Sequence, residues 1–185
     1  MPLHITRFVG GNSGAWHVER LETVVGPPLG RVERVGISDD RAEPSTVGVR
    51  WVLRGVASYE RYVTRRERAE LDARQPALAR PEATCAALIP VAKSAAWWTL
   101  PHDERRAIFE ERSAHIATGL RYLPAVARQL YQCRDLSEPF DFLTWFEYAP
   151  TDALRFEELV SVLRGSEEWR YVEREVDIRL RRAAV

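Results

Sequence analysis

FDFLTWFEYA, residues Phe140 to Ala149, is the clearest strand in this chain. Phe140, Phe142, Thr144, Phe146 and Tyr148 fall on one face, and Asp141 and Glu147 on the other, because alternate side chains of an extended backbone point to opposite sides. Just before it, after Pro124, VARQLYQC reads as a partner strand. Just after it, TDALRFEELVSVLRG reads as a helix capped by Thr151 or Asp152 and stopped by Gly165. YVEREVDIRL then closes the chain as a half-exposed strand.

Upstream, VRWVLRGVAS alternates as a strand from Val49, and YERYVTRRERAELDARQ has helical spacing up to Pro76. CAALIPVAKS is a short apolar run, read as a strand. DERRAIFEERSAHIATGL reads as one amphipathic helix, with Phe109, Ile116 and Leu120 on its apolar side and Pro101, Asp103 and Glu104 suiting its first turn. The order β-α-β, α, β-β-α-β matches ferredoxin-like units. The expected fold class is therefore α+β: a ferredoxin-like antiparallel sheet curled into a partial barrel, with helices outside. Residues 49–185 form that domain. Residues 1–48 supply an N-terminal hairpin and a loop packed on it. The loop is placed at 26–47, which is rich in Gly, Pro and Asp.

Composition removes several functions. The 185 residues carry no net formal charge, and the two signs are interspersed. Neither a nucleic-acid tail nor a membrane-binding patch fits that pattern. No apolar run is long enough to span a bilayer. MPLHITRFVGG lacks the basic start and apolar stretch of a signal peptide, so a cytoplasmic protein is expected, or a periplasmic one if a leader has been removed. GGNSG reads as a turn without the Gly-Lys-Ser/Thr of a phosphate loop, which argues against nucleotide binding. Cys85 and Cys133 lie in separate apolar stretches and read as buried free thiols.

A few residues could carry chemistry. Lys93 is the single lysine of a chain that otherwise uses arginine, and Trp97 and Trp98 follow it. Tandem tryptophans are usually core or interface residues. Of the four histidines, His4 and His17 lie in the N-terminal hairpin and His102 in a polar helix start. His115 lies late in the amphipathic helix, beside Ile116. It is either a satisfied boundary residue or a metal or haem ligand facing a pocket. No zinc-like His or Cys spacing accompanies it, which leaves a single axial ligand as the sharper option. Arg128 shares a strand face with Val126 and Leu130. It is either an edge arginine reaching water or a buried cation awaiting an anion, for which a planar fork of donors is suited. Glu167 and Glu168 are either solvated or, for one of them, hold a ligating histidine in its tautomer.

LIPVAKSAAWW, ERRAIFEERSAHIATGLRYLPAVARQLYQCRD, EPFDFLTWFEYAP and EEWRYVEREVDIRL together resemble the chlorite dismutase family, and most closely its short-chain, dimeric branch. The resemblance runs from about Trp51 to Leu180. It implies a dimeric α+β barrel and an enzyme using haem b to convert chlorite into chloride and dioxygen. Chlorite would bind at ferric haem, and a distal arginine would hold the hypochlorite fragment. On this resemblance His115 is the iron ligand, Glu168 its hydrogen-bonding acid and Lys93 part of the same network. Arg128 is the distal arginine, Thr144 and Phe146 line the distal wall, and Gln75 stands at the pocket mouth. Trp97 and Trp98 pack near the haem and the subunit contact. The implied partners are chlorite, other small anions and a second copy of the chain. The related coproporphyrin-haem decarboxylases are the first alternative, although they are usually longer and lack an arginine at the position of Arg128. A weak peroxidase and a non-catalytic haem carrier or sensor are the others.

Overall fold

In a computed structural model, which describes residues 4–39, 47–58 and 62–183, the alternation of FDFLTWFEYA becomes one stave of a closed barrel. The strands are β1 (Ile5–Gly11), β2 (Trp16–Val25), β3 (Arg34–Asp39), β4 (Val49–Ser58), β5 (Cys85–Lys93), β6 (Val126–Gln132), β7 (Phe142–Tyr148) and β8 (Val172–Arg182). Their order round the barrel is β1-β3-β2-β8-β5-β7-β6-β4. All pairings are antiparallel, and β1 closes the ring onto β4. The expected curl is thus complete, because β1, β3 and β2 fill the gap between β4 and β8.

Two faces of the sheet make two cores. Leu143 and Trp145 point inward with Phe8, Trp16, Leu53, Leu88 and Ile178. Phe146 and Tyr148 point outward and meet Phe156, Leu159 and Leu163 of α5 (Ala153–Arg164). Phe140 departs from the expected face. It precedes the strand, so alternation does not bind it, and it joins Leu143 and Trp145 in the interior.

Four further expectations need correction. The N-terminal residues do not form a β1–β2 hairpin, because β3, which falls within the presumed 26–47 loop, lies between those strands. Val35 of β3 is fully buried while Ile37, two residues on along the same face, is exposed, so the strand is deeply buried only near its start. The helix read through residues 103–120 is three pieces: α3 (His102–Arg106), a π-helical stretch (Ala107–Arg112) and α4 (His115–Arg121). β8 is not half-exposed: Glu175, Asp177 and Arg179 are buried beneath α5, where Arg164 and Glu157 pair with them. Finally, Asp152 occupies the N-cap of α5 without a side-chain capping bond, the chain entering instead through a tight 3-10 turn at Pro150–Asp152.

The helix read upstream of Pro76 is α1 (Arg65–Arg74), opened by a reciprocal capping box between Thr64 and Glu67. Residues 59–61 of that reading lie outside the described residues. α2 (Ala95–Thr99) carries the tryptophan pair directly off the end of β5. Cys85 and Cys133 are buried free thiols, as expected.

Candidate active site

The site lies on the outer face of β5, β6 and β7, roofed by α4 and α5. Its histidine is placed by the break in the helix that carries it. Ala114 adopts a left-handed conformation with φ +50°, so α4 restarts at His115. No N-cap side chain serves this new helix. Glu110 reaches forward instead and accepts the free backbone N–H groups of Ile116, at 2.6 Å, and Ala117, at 3.2 Å. His115 is therefore the first residue of a capped helix, not a late residue of a long one. Its ring stacks on Phe109, with centroids 4.3 Å apart.

A buried charge network holds that ring. His115 Nδ1 lies 2.7 Å from Glu168 Oε2, and Lys93 Nζ donates to Glu168 Oε1 at 2.6 Å. The Glu168 and Lys93 side chains are 5% and 4% exposed. Burial pushes the Glu168 carboxyl up, but the neighbouring charges and hydrogen bonds of His115 and Lys93 outweigh it and hold the pKa at about 2. The Lys93 ammonium stands over the rings of Trp97, at 4.7 Å, and Trp169, at 5.4 Å. A compact ammonium fits between two indoles and one carboxylate, where a planar guanidinium would not. Glu167, by contrast, points away and pairs with Arg112 at 3.0 Å, so Glu168 alone meets the histidine.

The depressed Glu168 pKa has a consequence for stability. A carboxyl at about 2 in the folded chain, against 4.5 for an ordinary glutamate, adds stability fully present above pH 4.5 and lost as pH falls toward 2. The size is on the order of 3 kcal/mol. Glu168→Gln should destabilise the haem-free protein at neutral pH by about 3–5 kcal/mol, because Lys93 is left buried without its counter-charge. That deficit should narrow steadily as pH falls below 4.5. Denaturant midpoints of the two proteins across pH check both size and sign.

Opposite the network, Arg128 of β6 lines the same cavity and is 9% exposed. Thr144, Phe146, Leu130, Ile89 and Val91 complete a largely apolar wall. The cavity encloses about 990 Å³ of empty space, part of it continuous with solvent. Of the expected residues, Gln75 and Trp98 do not line it, whereas Trp97 does. Gln75 is not in the wall; its amide donates to the backbone carbonyl of Arg128 and fixes the strand from the end of α1. Trp97 is buried beside Lys93, whereas Trp98 turns outward. Its Nε1 donates to Asp141 at 3.2 Å, it stacks on Phe142, and the Arg134 guanidinium lies 3.9 Å from its ring. Sequence reasoning missed Tyr62, Trp169 and Glu175 as lining residues. Trp169 Nε1 donates to Glu175 at 2.8 Å, and only a charged pair read as buried would have exposed that link.

The donor set decides what metal species could fit. Among the described residues no group of three His, Cys, Asp or Glu could hold a bare ion. His115, with Nδ1 committed to Glu168, offers one nitrogen, Nε2. One axial donor at an apolar cavity suits a metal that brings its own in-plane ligands, as haem iron does.

Known proteins resemble the chain over most of its length. The sequence model described as chlorite dismutase matches residues 45–182. A solved structure of a dimeric chlorite dismutase from Nitrobacter winogradskyi is 59% identical, with 96% of this chain and 99% of that chain covered and a TM-score of 0.89. A cyanide complex of a mutant chlorite dismutase from Candidatus Nitrospira defluvii is 20% identical over 98% of this chain and 91% of that one, with a TM-score of 0.71. An imidazole complex of the chlorite dismutase from the same organism is 19% identical over 96% and 90%, with a TM-score of 0.69. At such identities the last two show a shared fold.

Proposed function

The chain belongs to the chlorite dismutase family, and from that premise we propose that it is a haem b enzyme converting chlorite to chloride and dioxygen, with Arg128 as its anion-holding residue. One observation carries the reading: a buried guanidinium and a carboxylate-held imidazole face the same apolar cavity. His115 Nε2 would hold the haem iron. Ferric haem, when bound, supplies the redox chemistry that rearranges chlorite, ClO₂⁻, into Cl⁻ and O₂ with no external oxidant or reductant.

The chain's own residues do the rest. Glu168 accepts from His115 Nδ1–H, fixing the tautomer in which Nε2 carries the free lone pair. Lys93 balances the Glu168 charge, so the buried site is not left with an uncompensated anion. Arg128 draws chlorite in and presents a fixed fork of donors to its oxygens. It would also keep the hypochlorite-level fragment from leaving the pocket. Phe146, Leu130 and Ile89 keep water from that fragment. Gln75 contributes by anchoring the Arg128 backbone, and Trp97 by closing the site behind Lys93.

Adding chlorite to the haem-loaded protein under an oxygen electrode tests this reading. One dioxygen and one chloride per chlorite are expected. Carbon dioxide release from coproporphyrin haem, or stable haem binding with neither reaction, would replace it with a decarboxylase or a carrier.

The 59%-identical relative is a dimeric enzyme, and a two-fold dimer is the commonest closed assembly. We extend that assembly to this chain. Light scattering should give the mass of two 21.2 kDa chains; a mass near five subunits would refute it.

A further inference from the structure

We propose that Gly119 is a positioning residue for Arg128: the bare backbone of α4, one turn beyond His115, is the seat on which the guanidinium rests. Gly119 is buried. A Cβ added there would stand 1.8 Å from Arg128 Nη1, 2.7 Å from its Cζ and 2.9 Å from Nη2. No real methyl group tolerates such distances, and the three nearest atoms all belong to the movable end of that one side chain. The backbone does not require glycine here, since Gly119 is not among the residues with positive φ. Glycine inside a helix is instead about 1 kcal/mol worse than alanine, a real cost for a helix of seven residues. What glycine provides at this position is room.

The placement matters because residues four apart share a helix face. His115 and Gly119 therefore present the imidazole and the seat from one rigid element. The other end of the arginine is fixed too, by the bond from Gln75 to its carbonyl. Backbone anchor and guanidinium seat together hold the cation at one distance from the histidine, and a donor held in place stabilises an anion better than one free to swing. The inference rests on the reading of Arg128 as the anion-holding residue, and the test separates the two.

Four haem-loaded proteins are compared: wild type, Gly119→Ala, Arg128→Ala and the double variant. Cyanide and fluoride dissociation constants are measured by titration, and turnovers before bleaching are counted. Gly119→Ala should weaken anion binding about three- to tenfold, a fraction of the ~10²–10³-fold that removing one preorganised donor costs. In the Arg128→Ala background the same change should have no effect. Unchanged or tighter binding in Gly119→Ala overturns the seat. So does an equal loss in the Arg128→Ala background, which would show the methyl group acting on the cavity itself. Loss of the folded barrel in Gly119→Ala also overturns it, because the nearest obstruction is the end of a movable side chain. If Arg128→Ala alone binds anions as wild type does, the anion-holding role is what fails.

Discussion

His115→Ala should leave a folded barrel that no longer holds haem with its native spectrum. The fold does not depend on this side chain: α4 is capped by Glu110 through backbone N–H groups that alanine retains. The proposed haem site would depend on it, since no other described histidine lines the cavity. Losing even an outer hydrogen-bonding partner of a metal ligand typically costs about 10–100-fold in affinity, and losing the ligand should exceed that. The variant also strands Glu168 with Lys93 as its sole ionic partner. Titration with haem, followed by the Soret band, checks the expectation. Full occupancy with an unchanged spectrum would remove His115 from its assigned role. His102→Ala is the control, because His102 is exposed and lies outside the cavity.

Arg128→Ala should bind anions more weakly, evolve less dioxygen per chlorite and bleach sooner. Removing one preorganised donor typically costs about 2.7–4 kcal/mol of transition-state stabilisation. Here part of that loss should appear as escape rather than slowness. A hypochlorite fragment no longer held would oxidise whatever lies near, and Trp97 and Trp169 flank the opposite side of the same cavity. Methionine added as a hypochlorite trap should therefore protect the variant more than the wild type. Arg128→Lys should fall between them, since a point charge attracts the anion but lacks the planar fork. Wild-type anion affinity combined with wild-type endurance in Arg128→Ala would make Arg128 a structural residue.

The parts of this fold that were legible are those where side-chain alternation and burial coincide. β7 reads correctly because its two faces meet two different cores. The π-helical turn and the restart at His115 were not legible. The apolar spacing of Phe109, Ile116 and Leu120 reports which side is buried, not which carbonyl each N–H bonds to. Alanine also gives no hint of positive φ, as glycine or asparagine would. β3 was hidden among turn-forming neighbours, with a single deeply buried residue to mark it. β8 misled for an electrostatic reason: Glu175, Asp177 and Arg179 look solvated until Arg164 and Glu157, from a different element, neutralise them. The site residues were ambiguous on their own spacing. The family resemblance gave them roles, and it took the fold to bring Lys93, His115 and Glu168, from three separate elements, within hydrogen-bonding reach.

Closure of the barrel sets a timetable for biosynthesis. β8 pairs with β2 on one side and β5 on the other, so the two are joined only after nearly all the intervening chain has emerged. Contacts of such long sequence separation form late and slowly. Glu168 lies just ahead of β8, which means Lys93 and His115 are made well before the carboxylate that holds them. A nascent chain would therefore carry β6 with Arg128 before it has the histidine–carboxylate pair that the proposed haem site needs. On the haem reading proposed above, capture of the cofactor would wait for Glu168, and a chain stalled or cleaved before that residue would leave free haem unbound instead of forming a half-built, oxidising centre.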